Sequence, residues 1–251
     1  MSRILKTAGL LFKLLILTFL SGIIASLFTM ILPGGYEQNE MLALVLSYCI
    51  AIPILYKYYG KEDCLMSKCN FKKISSKDLF YIILLGIGLS SVISLIIDPL
   101  VSIFPSYIEV SNEMSSKINS VVSVLCVVIL VPIFEEIVFR GIIFDHLKRN
   151  YSLVTAIIVQ ALLFGLVHGN IVQGIYTFLA GIVFVLANIY CGSILGSIIL
   201  HIIFNSGIEE LLGFNDTIYN MELILGVILF VYASYKMIKN YKKQIYDCKV
   251  N

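Results

Sequence analysis

The sequence predicts an all-α, polytopic integral membrane protein with about eight transmembrane helices, forming a single membrane domain over residues 1–251. Three observations carry this. Of the 251 residues, 59% are hydrophobic and only 14% charged, against about 45–50% and about 25% in a soluble domain. A soluble globule of this composition would expose a greasy surface and aggregate. Apolar stretches recur along the chain, and an apolar helix of about 20 residues crosses a bilayer core of roughly 30 Å. Finally, the connections between those stretches alternate in charge, as a chain weaving through a bilayer requires.

The first stretch, 10–32, is too long for the apolar region of a signal peptide, and no small-x-small cleavage site follows it. It is read as the first span. The second, 41–56, is short and holds Pro53, which a membrane helix tolerates because neighbouring groups satisfy the freed carbonyl. The third, 79–103, is expected to end near Asp98 and Pro99. The fourth to eighth lie at 119–143, 153–168, 172–190, 193–212 and 218–237, and the one at 153–168 is short. The Gly165/Gly169 and Gly192/Gly196 spacings read as close helix packing.

The connections test this map. Arg3, Lys6 and Lys13 lie at the N-terminus, and Glu37 and Glu40 in the 33–40 loop. Lys57, Lys61, Lys68, Lys72, Lys73 and Lys77 crowd the 57–78 loop, against Glu109, Glu113 and only Lys117 in the 104–118 loop. Lys148 and Arg149 come next, then acidic Glu209, Glu210 and Asp216, then Lys236, Lys239, Lys242, Lys243 and Lys249 in the tail. Eight spans with both termini in the cytoplasm fit this alternation. Asp145 and His146 are expected to be solvated near the inner interface.

Composition also excludes. A net charge of +2 is too small to call for nucleic acid. A disordered, collagen-like or disulfide-stapled chain does not fit. Cys49, Cys64, Cys69, Cys126, Cys191 and Cys248 have no metal-ligand spacing and read as unpaired thiols. The terminal Cys248-Lys249-Val250-Asn251 is not a prenylation tail, because Lys249 is not aliphatic.

Charge inside hydrocarbon is expensive, so the few ionisable residues in the spans ask for a reason. The fourth span holds Phe134-Glu135-Glu136-Ile137-Val138-Phe139-Arg140, the fifth ends Phe164-Gly165-Leu166-Val167-His168, and the seventh holds His201-Ile202-Ile203-Phe204-Asn205. Glu136 and Arg140 are four apart on one helix face and can pair. Glu135 points about 100° away, which leaves one carboxylate available. His201 and Asn205 share a face and can aim two donors at one spot. Taken singly, the Glu136–Arg140 pair could simply lock packing, and each histidine could be a satisfied packing residue. Taken jointly, Glu135, His168, His201 and Asn205 are an inventory for activating water and steadying an oxyanion.

At these residues the sequence resembles the CAAX protease and bacteriocin-processing family, the Abi or type II CAAX prenyl endopeptidase family. Glu135-Glu136-x-x-Phe139-Arg140, Phe164-x-x-x-His168 and His201-x-x-x-Asn205 look like its three motifs, within a core of about 119–212. The resemblance implies a membrane-embedded endopeptidase acting on a membrane-associated protein or peptide. It implies Glu135 as general base, His168 as water holder, His201 and Asn205 as oxyanion donors, and Glu136 and Arg140 as supports. Glu135, His168 and His201 could alternatively supply a zinc site, but Asn205 is a poor zinc ligand and no tightly bound metal is the favoured expectation. Two other readings compete. One is a non-catalytic immunity or scaffold protein using the same pocket. The other is a proton-coupled carrier, for which the internal repeat that carriers usually show is missing from the sequence.

Overall fold

The computed structural model describes residues 2–59, 69–118, 120–206 and 216–250. Among these every regular element is helical, and the chain is an integral, multi-pass membrane protein. Apart from a single turn at Gly35–Gln38, the helices among the described residues are α1 (Arg3–Met30), α2 (Glu40–Tyr59), α3 (Ser76–Ile103), α4 (Tyr107–Lys117), α5 (Val121–Asn150), α6 (Leu153–Leu166), α7 (Ile171–Cys191), α8 (Ile194–Asn205) and α9 (Asp216–Val250). Each of the eight expected apolar stretches contains a helix, and residues 207–212 of the seventh lie outside the described residues. Six, namely α1, α2, α3, α5, α7 and α9, are long and apolar enough to cross a membrane, whereas α6 and α8 are shorter. The expectations on Lys61, Cys64, Lys68, Glu209 and Glu210, and on the side chains of Glu37, Asp216, Lys243, Cys248 and Lys249, lie outside the described residues.

Two compact units make up the chain. The first is Met1–Asn70 with Ile108–Gln160, and the second is Phe71–Tyr107 with Ala161–Asn251.

In the first unit α1 packs along α2, and α2 meets α5. Ser2 starts α1 by accepting the Leu5 N–H, which satisfies one orphan donor of the first turn. Phe12, Leu15, Phe19 and Leu27 of α1 stay exposed, as lipid-facing side chains do. Pro53 lies inside α2, which runs through it as expected. At one end Lys117 bonds Glu113 at 2.9 Å and Glu40 at 3.0 Å. Glu113 first, and then Glu40, hold this ammonium above its usual pKa range. At the far end of α5, Asp145 is not solvated. It is 3% exposed and carries ion pairs to Arg149 and Lys148. Two cations within one turn of the same helix explain how that carboxylate tolerates burial. His146 shares Thr7 Oγ1 with Tyr151, at 3.0 and 3.1 Å, and so ties α1 to the end of α5.

In the second unit α3 packs along α9 and against α7 and α8. Gly88 lets α9 approach, since a Cβ there would strike the Gly226 carbonyl and the Phe230 backbone. Gly165 does the same for α6 and α7 against Gly174. The partners in the two expected packing pairs have a different task. Gly169 and Gly192 hold φ of +78° and +56° and have nothing within 4 Å of an added Cβ, so they turn the chain rather than pack it. Asp98 does not end α3, which continues through Pro99 to Ile103. Cys49, Cys69, Cys126 and Cys191 form no disulfide among the described residues.

Candidate active site

The first motif lies in the first unit, on α5. Ser120 and Ser123 cap this helix reciprocally, each side chain accepting the other's backbone N–H at 3.1 and 3.0 Å. The helix is not α throughout. Pro132 has no N–H and its ring crowds the carbonyl four residues back. Upstream of it the chain widens into a π-helix over Cys126–Leu130, where the Val131 N–H bonds the Cys126 carbonyl. An α segment, Val131–Glu136, carries both glutamates, and a second π segment follows over Ile137–Phe144. Short π segments inside helices recur at functional sites because they re-aim side chains.

Glu136 and Arg140 are fully buried and joined by an Arg140 Nη1–H donated to Glu136 Oε1 at 2.8 Å. The pairing expected from four-residue spacing thus holds even though Arg140 sits in a π segment. Glu135 is half-buried rather than buried. It lies within electrostatic reach of Arg140, and also of Tyr48 on α2. The Tyr48 ring stacks on Phe134 at 5.1 Å. Tyr48 was not legible as a site residue: it is one phenol in an apolar run, and nothing in the sequence links it to the glutamates.

The second and third motifs lie in the second unit. His168 is not on a helix, contrary to expectation. α6 ends at Leu166, and His168 occupies the turn closed by Gly169 and by Asn170, whose side chain caps α7 by accepting the Gln173 N–H at 2.8 Å. A left-handed glycine followed by an N-cap residue leaves the helix no room to continue. The turn fixes the imidazole. Nδ1 lies 2.8 Å from the Phe164 carbonyl oxygen, which can only accept. Nδ1 therefore carries the proton, and in the neutral ring Nε2 presents its lone pair.

His201 is 3% exposed, on α8. Its ring stacks on Phe184 at 4.4 Å and meets the edge of Phe164 at 5.8 Å. Phe164 also meets His168 edge-on at 5.0 Å. One buried ring therefore braces both imidazoles, and Phe184 backs the second. Asn205, the last residue of α8, lies one turn beyond His201. Phe184 escaped sequence reading because it belongs to a sixth stretch that is apolar all round.

Within neither unit do three histidine, cysteine, aspartate or glutamate side chains converge among the described residues. The zinc reading draws Glu135 from one unit and His168 and His201 from the other. The proton position on His168 fits a metal ligand as well as a water acceptor, since either needs the Nε2 lone pair.

Residues 117–207 match the model of the Rce1-like family, described as type II CAAX prenyl endopeptidase Rce1-like. The matched segment contains all three motifs. No curated protein and no solved structure matches the chain.

Proposed function

On the premise of that family match, we propose that this membrane protein is an endopeptidase that hydrolyses a peptide bond of a membrane-associated protein or peptide by glutamate-activated water. One observation carries the reading: a single family match spans the acid–base motif and both histidine motifs. Glu135 takes a proton from water, and the resulting hydroxide attacks the peptide carbonyl carbon. His168, donating Nδ1–H to Phe164, offers Nε2 to the second water hydrogen. The oxyanion that forms is stabilised by donors on His201 and Asn205. Collapse expels the amine, which takes the proton held on Glu135. Glu136 and Arg140 support the helix that carries Glu135.

No tightly bound metal is required by this scheme. A zinc ion would be held by Glu135, His168 and His201 and would lower the pKa of a bound water. Both termini are assigned to the cytoplasm, with the 57–78 loop on the same side.

The test is incubation of the purified full chain with membrane-anchored peptide libraries, read by mass spectrometry, beside Glu135→Ala. Cleavage by the native chain and none by the variant supports the proposal. Binding without cleavage by either would make the protein a peptide-capturing scaffold.

A further inference from the structure

Away from the motifs, one end of the second unit gathers cations. α3 and α9 run antiparallel: Lys77 Nζ–H donates to Asn240 Oδ1 at 3.3 Å, the Tyr81 and Tyr232 rings lie 6.4 Å apart, and Gly88 faces Gly226. The start of α3 therefore lies beside the 236–242 stretch of α9. Lys72 and Lys73, just before α3, and Lys77 in its first turn come from one segment, and Lys236, Lys239 and Lys242 from the other. All are exposed except Lys236, which is half-buried with its ammonium 5.3 Å from the centre of the Tyr232 ring. Among the described residues no ion pair neutralises any of the six.

The backbone beneath this cluster is pinned. Buried Ser193 accepts the Lys72 N–H at 3.0 Å and donates to the Lys72 carbonyl at 2.7 Å, which fixes the stretch bearing Lys72 and Lys73 to the start of α8. Asp78 is the nearby acid, and its carboxylate accepts from Ser75 at 2.6 Å and from the Tyr190 hydroxyl. Asn240 in turn donates to that hydroxyl at 3.3 Å. Asp78 is thus engaged in holding α3, α7 and α9 together. A positive-inside bias explains lysines near one membrane face. It does not require them to converge from separate segments on a fixed backbone.

We propose that this end binds the anionic headgroups of phospholipids in the leaflet it faces. A lysine ammonium is a compact charge on a stem that can lie along apolar surface while its head reaches a phosphate. Each such cation near an anionic surface strengthens binding about fivefold, about 1 kcal/mol. The proposal rests on the membrane-spanning fold and not on the peptidase reading.

The test reconstitutes the full chain in bilayer discs of phosphatidylcholine mixed with phosphatidylglycerol and counts the retained lipids by native mass spectrometry. The native chain should retain phosphatidylglycerol preferentially, and added salt should weaken the preference by screening. Replacing Lys72, Lys73, Lys77, Lys236 and Lys239 by Gln should reduce it by at least about tenfold. Arginine at the same positions should keep it. Lys73→Gln with Lys239→Gln, a pair that disturbs no packing contact described above, should reduce it by at least about fivefold. Replacing Lys6, Lys13 and Lys148 by Gln should leave it intact, and inorganic phosphate should not displace the lipid. Undiminished preference in both lysine-cluster variants, equal loss in the Lys6/Lys13/Lys148 chain, or displacement by inorganic phosphate would each overturn the proposal.

Discussion

Removing the charge of Glu136 should damage the fold far more than removing that of its neighbour. Glu136 is 0% and Arg140 1% exposed, and their 2.8 Å bond joins a buried carboxylate to a buried guanidinium. Glu136→Gln strands a buried guanidinium, and breaking such a pair costs about 3–5 kcal/mol. At about 2–4 °C per kcal/mol for a chain of this size, melting should fall by roughly 6–20 °C. Replacing both partners by apolar residues of similar volume, Glu136→Leu with Arg140→Met, removes the stranded charge and should recover most of the loss. The assay is thermal melting in detergent of the native chain, each single variant and the double variant. A Glu136→Gln chain that melts with the native one, or a double variant that loses the sum of both singles, would refute the argument that a mutually dependent buried pair holds α5.

Glu135→Gln should abolish turnover while melting within about 1 kcal/mol of the native chain, because an amide keeps the shape but takes no proton. Asn205→Ala should lower the rate about 10²–10³-fold, the usual loss of one oxyanion donor, with chelators having little effect. Stoichiometric zinc in the active protein, lost with activity in His168→Ala, would reverse that assignment. Phe184→Ala removes a fully buried ring stacked on His201 and should destabilise the chain by about 3–5 kcal/mol, read by the same melting assay. Reporters fused at Glu37, Lys68, Glu113 and Lys249 should read out, in, out, in, and an external tail would break the eight-span topology.

The number and order of apolar helices were legible because hydropathy reports what must leave water, and each of the eight stretches contains a helix among the described residues. The Glu136–Arg140 pair was legible because four-residue spacing survives modest changes in helix winding. What stayed hidden has a common cause. Inside a bilayer the helix face that meets protein is as apolar as the face that meets lipid, so no stripe marks which side packs. Phe184 and Phe164 therefore looked alike in sequence, though only Phe164 belongs to a motif. The π segments flanking Glu135 were not visible, because hydropathy reports burial and not helix winding. His168 looks helical in sequence because Val167 continues the apolar run, and Gly169, which helps to end the helix, reads there as packing. Asp145 was misplaced because burial by intrahelical cations looks in sequence like solvation at an interface.

The central claim, that Glu135 activates a water that cuts a peptide bond, is tested most directly by turnover in oxygen-18 water. The native chain acting on a membrane-anchored peptide should place one heavy oxygen in the new carboxylate of the N-terminal fragment, and Glu135→Gln should form no labelled fragment. Labelled product formed by Glu135→Gln at the native rate would contradict the account.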